Sequence, residues 1–189
     1  MLIQFMQKML RFAGLTRRGR LLFLGLLGFA HPSLAADNVR FYGVLSAQPC
    51  DIAADDENIS VDMRTILNHT LYQHKRTAGT LFDINLIDCK PELAKTVRVT
   101  FKGPESDELK GLMQIPSVTA TGTGVAIGLE LLDGRMLPFN QATRIHSLSS
   151  GLNQITLRAY VQAEPSAIAH RRIALGPFQV ISTFTLSYE

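Results

Sequence analysis

Alternation with a period of two constrains this chain more than any other feature. In the closing stretch GPFQVISTFTLSYE, Gly176 to Glu189, the residues Phe178, Val180, Phe184, Leu186 and Tyr188 fall on every second position. Ser182 alone breaks the run, and Gln179, Thr183, Thr185, Ser187 and Glu189 occupy most of the other face. Such spacing puts the apolar side chains on one face of a β-strand, not on a helical stripe. A strand has two edges of N–H and C=O groups, and a long apolar edge is rarely left bare. The sequence carries nothing after Glu189 that is expected to cover it. The pattern raises the question of which segment lies beside this strand.

The same alternation recurs along the chain. VRFYGVL places Val39, Phe41, Gly43 and Leu45 against Arg40, Tyr42 and Val44. TLFDINLIDC sets Phe82, Ile84 and Leu86 against Leu81, Asp83 and Asn85, and TVRVTFKG carries Val97, Val99 and Phe101. GVAIGLELLDG runs through Val125, Ile127, Leu129 and Leu131. NQITLRAYVQA sets Ile155, Leu157, Ala159 and Val161 against Thr156, Arg158 and Tyr160. Gly and Pro punctuate these runs, and Asp133-Gly134 predicts a hairpin with a type I′ turn. VDMRTILNHTLY is the one stretch that tolerates a helical reading, as a short turn at most, and AEPSAIAHRR reads as a loop before the last strand. Short punctuated strands predict an all-β antiparallel sandwich. An antibody-type domain would carry a core Trp, and this chain has none.

Charge is read only after the first residues are set aside. Lys8, Arg11, Arg17, Arg18 and Arg20 lead into the apolar run Leu21–Ala30 and then HPSLAAD. A basic region, about ten apolar residues and a small-x-small site describe a secretory signal peptide over residues 1–35. Cleavage is expected after Ala35, with Ala36 as the alternative. An uncleaved anchor would need a run of roughly 20 residues, and the Arg17-Arg18 pair leaves a twin-arginine signal as a second alternative to an ordinary basic leader. Five of the 19 Lys+Arg and none of the 16 Asp+Glu precede Ala36, so 14 bases face 16 acids in the remainder. The pI near 9.0 therefore belongs to the leader and gives no support for nucleic acid as a partner.

Of 189 residues, 154 remain after Ala35, enough for one domain with a core. Both cysteines, Cys50 and Cys89, lie in this exported part and predict one disulfide. A metal pair is the competing reading, but neither cysteine has a ligand-spaced partner. Catalytic chemistry is not legible. His69 and His74, five apart, read as loop surface residues, and no Gly-x-Ser-x-Gly elbow, phosphate loop or HExxH occurs. DIAADDENIS lacks calcium-loop spacing and reads as a solvated acidic loop. No enzyme, catalytic residue, metal site or cofactor is expected.

Taken in order, the leader, VRFYGVLSAQPC, LIDC, VRVTFKG, GVAIGLELLDG, LSSGLNQITLRAYVQA and GPFQVISTFTLSYE resemble the subunits of bacterial chaperone–usher pili, type 1 fimbrial class. The closing stretch is the most specific, with Gly176 fourteen residues from the end and Tyr188 next to last. The resemblance implies an incomplete immunoglobulin-like β-sandwich that lacks its seventh strand and is completed by donor-strand complementation. It implies a donor extension over residues 36–46 and a pilin domain over 47–189. Val39, Phe41 and Leu45 would be the donor knobs, with Gly43 where the acceptor narrows. Gly176, Phe178, Val180, Phe184, Leu186, Tyr188 and Glu189 would form the acceptor and the chaperone contact. Cys50 and Cys89 would join the first strand, which begins near Leu45, to the second.

The implied partners are a periplasmic pilus chaperone, an outer-membrane usher and neighbouring subunits, in a homo- or hetero-polymer. The implied route runs through the periplasm to a surface fimbrium that supports adhesion. Tip adaptor and base terminator are alternative roles. A receptor-binding adhesin is disfavoured, because 154 residues leave no room for a separate lectin domain.

Overall fold

A computed structural model describes residues 39–116 and 123–189. The leader, residues 1–35, and the first residues of the donor segment, 36–38, lie outside the described residues. In chain order the elements are β1 (Asp51–Ile52), α1 (Asn68–His74), β2 (Thr80–Cys89), β3 (Thr96–Lys102), β4 (Met113–Gln114), β5 (Val125–Leu131), β6 (Met136–Leu137), β7 (Thr143–Ser147), β8 (Gly151–Ala163), α2 (Pro165–Ala169) and β9 (Thr183–Tyr188). A single 3-10 turn, Ala54–Asp56, follows β1.

Two antiparallel sheets result. One has the order β1-β2-β8-β5-β4, with β6 also paired to β5, and the other has the order β7-β3-β9. The run β1-β2-β8-β5 follows the A-B-E-D order of an immunoglobulin-type sheet, with β3 and β9 in the places of C and F. The alternating faces meet between the sheets as their sequences dictate. Ile84 and Leu86 of β2, Val97 and Val99 of β3 and Leu157 of β8 are fully buried there. Phe82 and Phe101 bridge the layers edge to face, with centroids 6.4 Å apart.

β5 departs from simple alternation, because all seven of its residues are buried. Ala126, Gly128 and Glu130 face away from the main core, but Tyr160 of β8 folds over them with Leu109 and Leu112 in a second small cluster. The Arg76 guanidinium stacks 3.7 Å from the Tyr160 ring centroid and donates to Glu130 at 2.8 Å. Arg158 lies 3.8 Å from the same carboxylate. Gly128 is required here, since a Cβ would come within 2.2 Å of the Tyr160 ring.

Several local expectations are corrected. Residues 45–50 form no strand, and the first strand, β1, begins after Cys50. The first cysteine thus precedes the first strand. VRFYGVL carries no strand either, as no ladder partner reaches it among the described residues. The Asp133-Gly134 hairpin uses positive φ only at Gly134 (+85°), with Gly134 N–H donating to Leu131 O at 3.0 Å. That is a turn closed by a glycine bulge and not type I′. His69 and His74 are exposed, but on α1, which ends where Lys75 adopts φ +66°. The loop before β9 holds α2, started by Pro165 in the first turn. The acidic loop is partly structural, because Asp56 accepts the Asn85 N–H at 2.5 Å.

Cys50 and Cys89 form the predicted disulfide, 39 residues apart in sequence. Closing a loop of that length stabilises the fold by about 4 kcal/mol through the unfolded state. A Cys50→Ala/Cys89→Ala chain should lose stability on that scale, with a larger urea m-value because its unfolded state is less compact. A midpoint within error of the wild type would refute it.

Candidate functional site

β9 is an edge strand, and its pairing to β3 decides what it offers. The register sets Val97 opposite Tyr188, Val99 opposite Leu186 and Phe101 opposite Phe184. At its end, the Lys95 and Thr96 N–H groups donate to the main-chain oxygen of Glu189 at 2.6 and 2.9 Å, and Glu189 N–H donates to Thr96 O at 2.9 Å. Thr96 and Glu189 are therefore a hydrogen-bonded pair. Alternation along an antiparallel ladder makes Arg98/Ser187, Thr100/Thr185 and Lys102/Thr183 the other bonded pairs. Phe184, Leu186 and Tyr188 then direct their N–H and C=O groups to the opposite edge. Among the described residues no strand lies there.

The same residues turn their side chains toward the core without being covered by it. Their β3 partners Val97, Val99 and Phe101 are buried, but Phe184, Leu186 and Tyr188 are half-buried, as are Phe178 and Val180 ahead of them. The ladder starts only at Thr183, although the alternation begins earlier, because β3 ends at Lys102 and Pro104 has no N–H to donate. Alternating burial still continues back through Ser182, Val180 and Phe178. Gly176, at φ +139°, makes the bend that admits the segment.

A second half-buried row was missed in the sequence. Ile59, Val61, Met63 and Ile66 pack on the same core. Their alternation breaks at Thr65, Asp62 and Arg64 stand on its exposed face, and an acidic loop precedes them. Two hydrogen bonds tie this stretch to the C-terminal one. Ile173 N–H donates to the Tyr72 hydroxyl at 3.2 Å, and the Tyr188 hydroxyl donates to Cys50 O at 3.5 Å. The 50–72 stretch thus meets the 173–188 stretch near both of its ends.

Burial pushes the Tyr188 phenol above its usual range, and the nearby Asp51 charge adds to the rise. On the opposite, solvent face of the strand, Arg98 donates to the Glu189 side chain at 2.6 Å, and Thr183, Thr185 and Ser187 are exposed.

The N-terminal segment from Val39 has neither helix nor strand, and its apolar residues are open to solvent. Phe41 is 93% exposed, and Val39 and Leu45 are exposed as well. Gly43 has no atom within 4 Å of the place a Cβ would occupy. Among the described residues no group of three or more His, Cys, Asp and Glu side chains is arranged to hold a metal.

Comparison with known proteins gives the family. Residues 39–189 match the Fimbrial protein family. The chain is 31% identical to the major MR/P fimbria protein of Proteus mirabilis over 93% of this chain and 99% of that one. It is 30% identical to the fimbrial adapter PapK of Escherichia coli over 90% of this chain and 97% of that one. Its fold superposes on the P pilus rod subunit PapA with a TM-score of 0.63 at 21% identity, covering 75% of this chain and 100% of that one. The chain belongs to the Fimbrial protein family and is a fimbrial subunit of chaperone–usher pili, a structural protein of the cell surface.

The tyrosine shifts give a pH test. Tyr188 and Tyr160 both have folded pKa values raised above 10.0, led in each case by burial. Their contribution is complete below pH 10 and is lost as pH rises through the folded values, since the unfolded chain releases these protons first. Urea midpoints should fall above pH 10, and Tyr188→Phe should flatten that fall. An identical slope in the variant would contradict the assignment.

Proposed function

We propose that this subunit polymerises by donor-strand exchange, with residues 36–46 of one copy completing the sandwich of the next. One observation carries the reading: along β9, outward-directed peptide groups and half-buried apolar side chains belong to the same residues, Phe184, Leu186 and Tyr188. An added strand would pair with the first and cover the second, which is β-augmentation. In an immunoglobulin-type C-F-G sheet the strand beside F runs antiparallel to it. Val39, Phe41 and Leu45 would enter between β9 and the Ile59–Ile66 row, and Gly43 would pass the tightest point without a Cβ. Each buried knob contributes roughly 1.5 to 3 kcal/mol, and each ladder bond about 0.5 to 1.5 kcal/mol net. Ordering the extension offsets part of this.

Before exchange, a periplasmic chaperone covers the same edge, grips the end of β9 at Tyr188 and Glu189, and delivers the subunit to an outer-membrane usher. We place the chain as a repeating structural subunit that supports adhesion. An adaptor role is the second reading, favoured by the likeness to PapK over 90% of the chain.

Phe41→Arg should leave the chaperone-bound subunit intact and block its entry into detergent-resistant ladders. Ladders of ordinary length would sink the donor assignment. Removing Tyr188 and Glu189 should lower the periplasmic level of the subunit through failed chaperone capture. An unchanged level would remove those residues from the chaperone contact.

A further inference from the structure

The proposed exchange uses one face of the extension, yet the other face is also apolar. Tyr42 and Val44 are 85% and 93% exposed. On the solvent face of the segment leading into β9, Ile181 is 81% exposed. A lone exposed isoleucine needs no explanation. Three exposed apolar side chains that a single pairing brings together call for one.

Resting on the donor-strand reading, we propose that the extension of a second copy of this chain is recognised on both faces. Tyr42 and Val44 of the donor pack beside Ile181, Thr183 and Thr185 of the acceptor on the outside of the fibre. Directly opposed residues of an antiparallel pair lie on the same face. With Val39, Phe41 and Leu45 turned inward beside Phe178 to Tyr188, the residues Arg40, Tyr42 and Val44 turn outward.

Two registers place Gly43 centrally in the half-buried row. Opposite Ser182, it sets Val44 against Ile181 and Tyr42 against Thr183. Opposite Phe184, where a missing Cβ makes room for the ring, it sets Val44 against Thr183 and Tyr42 against Thr185, with Ile181 diagonal to Val44. Either way Ile181 gains the Val44 neighbour, and Tyr42 gains a β-branched partner of the kind that stabilises cross-strand pairs. Both halves of the contact are encoded in one chain, so the preferred occupant is another copy. These outward residues are positioning and specificity determinants, distinct from the knobs.

The test uses full-length chains assembled in cells, with sheared filaments dissociated at a fixed temperature in detergent. Phe41→Arg serves as the reference for the donor-strand reading and should give no ladder. Ile181→Asp and Val44→Asp should each assemble but dissociate about twofold to fivefold faster. Combining Val44→Lys with Ile181→Asp should restore dissociation toward the wild-type rate. All three positions are exposed, and unchanged urea midpoints of the variant subunits will verify that the fold is intact. If the single variants dissociate at the wild-type rate while Phe41→Arg blocks assembly, the outer contact is refuted and the exchange stands. Failure of the paired charges to restore the rate refutes contact between these two residues. If Phe41→Arg filaments also form, the donor-strand reading falls.

Discussion

The ladder between β3 and β9 is the constraint on which the rest depends. Thr96 and Glu189 exchange main-chain hydrogen bonds and fix the phase of the whole pairing. From that phase follows which peptide groups of β9 point inward to β3 and which point to the other edge. Side-chain direction follows from the same phase, so apolar side chains and outward peptide groups coincide on Phe184, Leu186 and Tyr188. A one-residue slip would put Thr185 and Ser187 on the core and turn the apolar row to solvent. Burial of Val97 and Val99, the ladder partners of Tyr188 and Leu186, on the same core face favours the observed register over such a slip.

The larger sheet supplies the rigidity that an uncovered edge lacks. Its central strands, β2, β8 and β5, are paired over long registers, and β5 is buried on both faces. Glu130 is buried but satisfied by Arg76 and Arg158, so the cost of its desolvation is met by charge-assisted bonds. Removing one arginine would leave a buried carboxylate short of a partner, which costs more than the pair contributes. The disulfide adds a second brace where β2 ends. The larger sheet thus keeps its pairing without any contribution from the outer edge of β9.

Much of this was legible in the sequence, and the exceptions share a cause. β2, β3, β5 and β8 are found where alternation places them, and the face of each that meets the core is the expected one, because one-sided burial writes itself directly into period two. The second buried face of β5 was hidden, since Ala126, Gly128 and Glu130 look like an outward face until Tyr160 and Arg76, distant in sequence, fold over them. The Ile59–Ile66 row was hidden for a related reason: its exposed neighbours are charged, and it joins no ladder that would lengthen the pattern. The ladder of β9 is shorter than its alternation, since pairing needs a partner strand and β3 turns away at Gly103-Pro104. The exposed segment from Val39 reads as a strand in sequence and is not one in the structure, which is what an alternating segment without a partner looks like.

Reach bears on where the proposed donor could lie. Cys50 is pinned to Cys89 and lies against the Tyr188 hydroxyl, at the C-terminal end of β9. An extension lying antiparallel to β9 must bring Leu45 to the far end, opposite Val180 or Ser182. At about 3.3 Å per residue, those positions are roughly 20 to 26 Å from Tyr188 along the strand. The five steps from Leu45 to Cys50 span about 17 Å when fully extended. Measured along the strand, a straight run from Cys50 falls short of either position, whereas the proposed entry into a second subunit carries no such limit. Under the proposed exchange, site and occupant would be different surfaces of one molecule, a heterologous contact that does not close on itself and so would propagate as a filament.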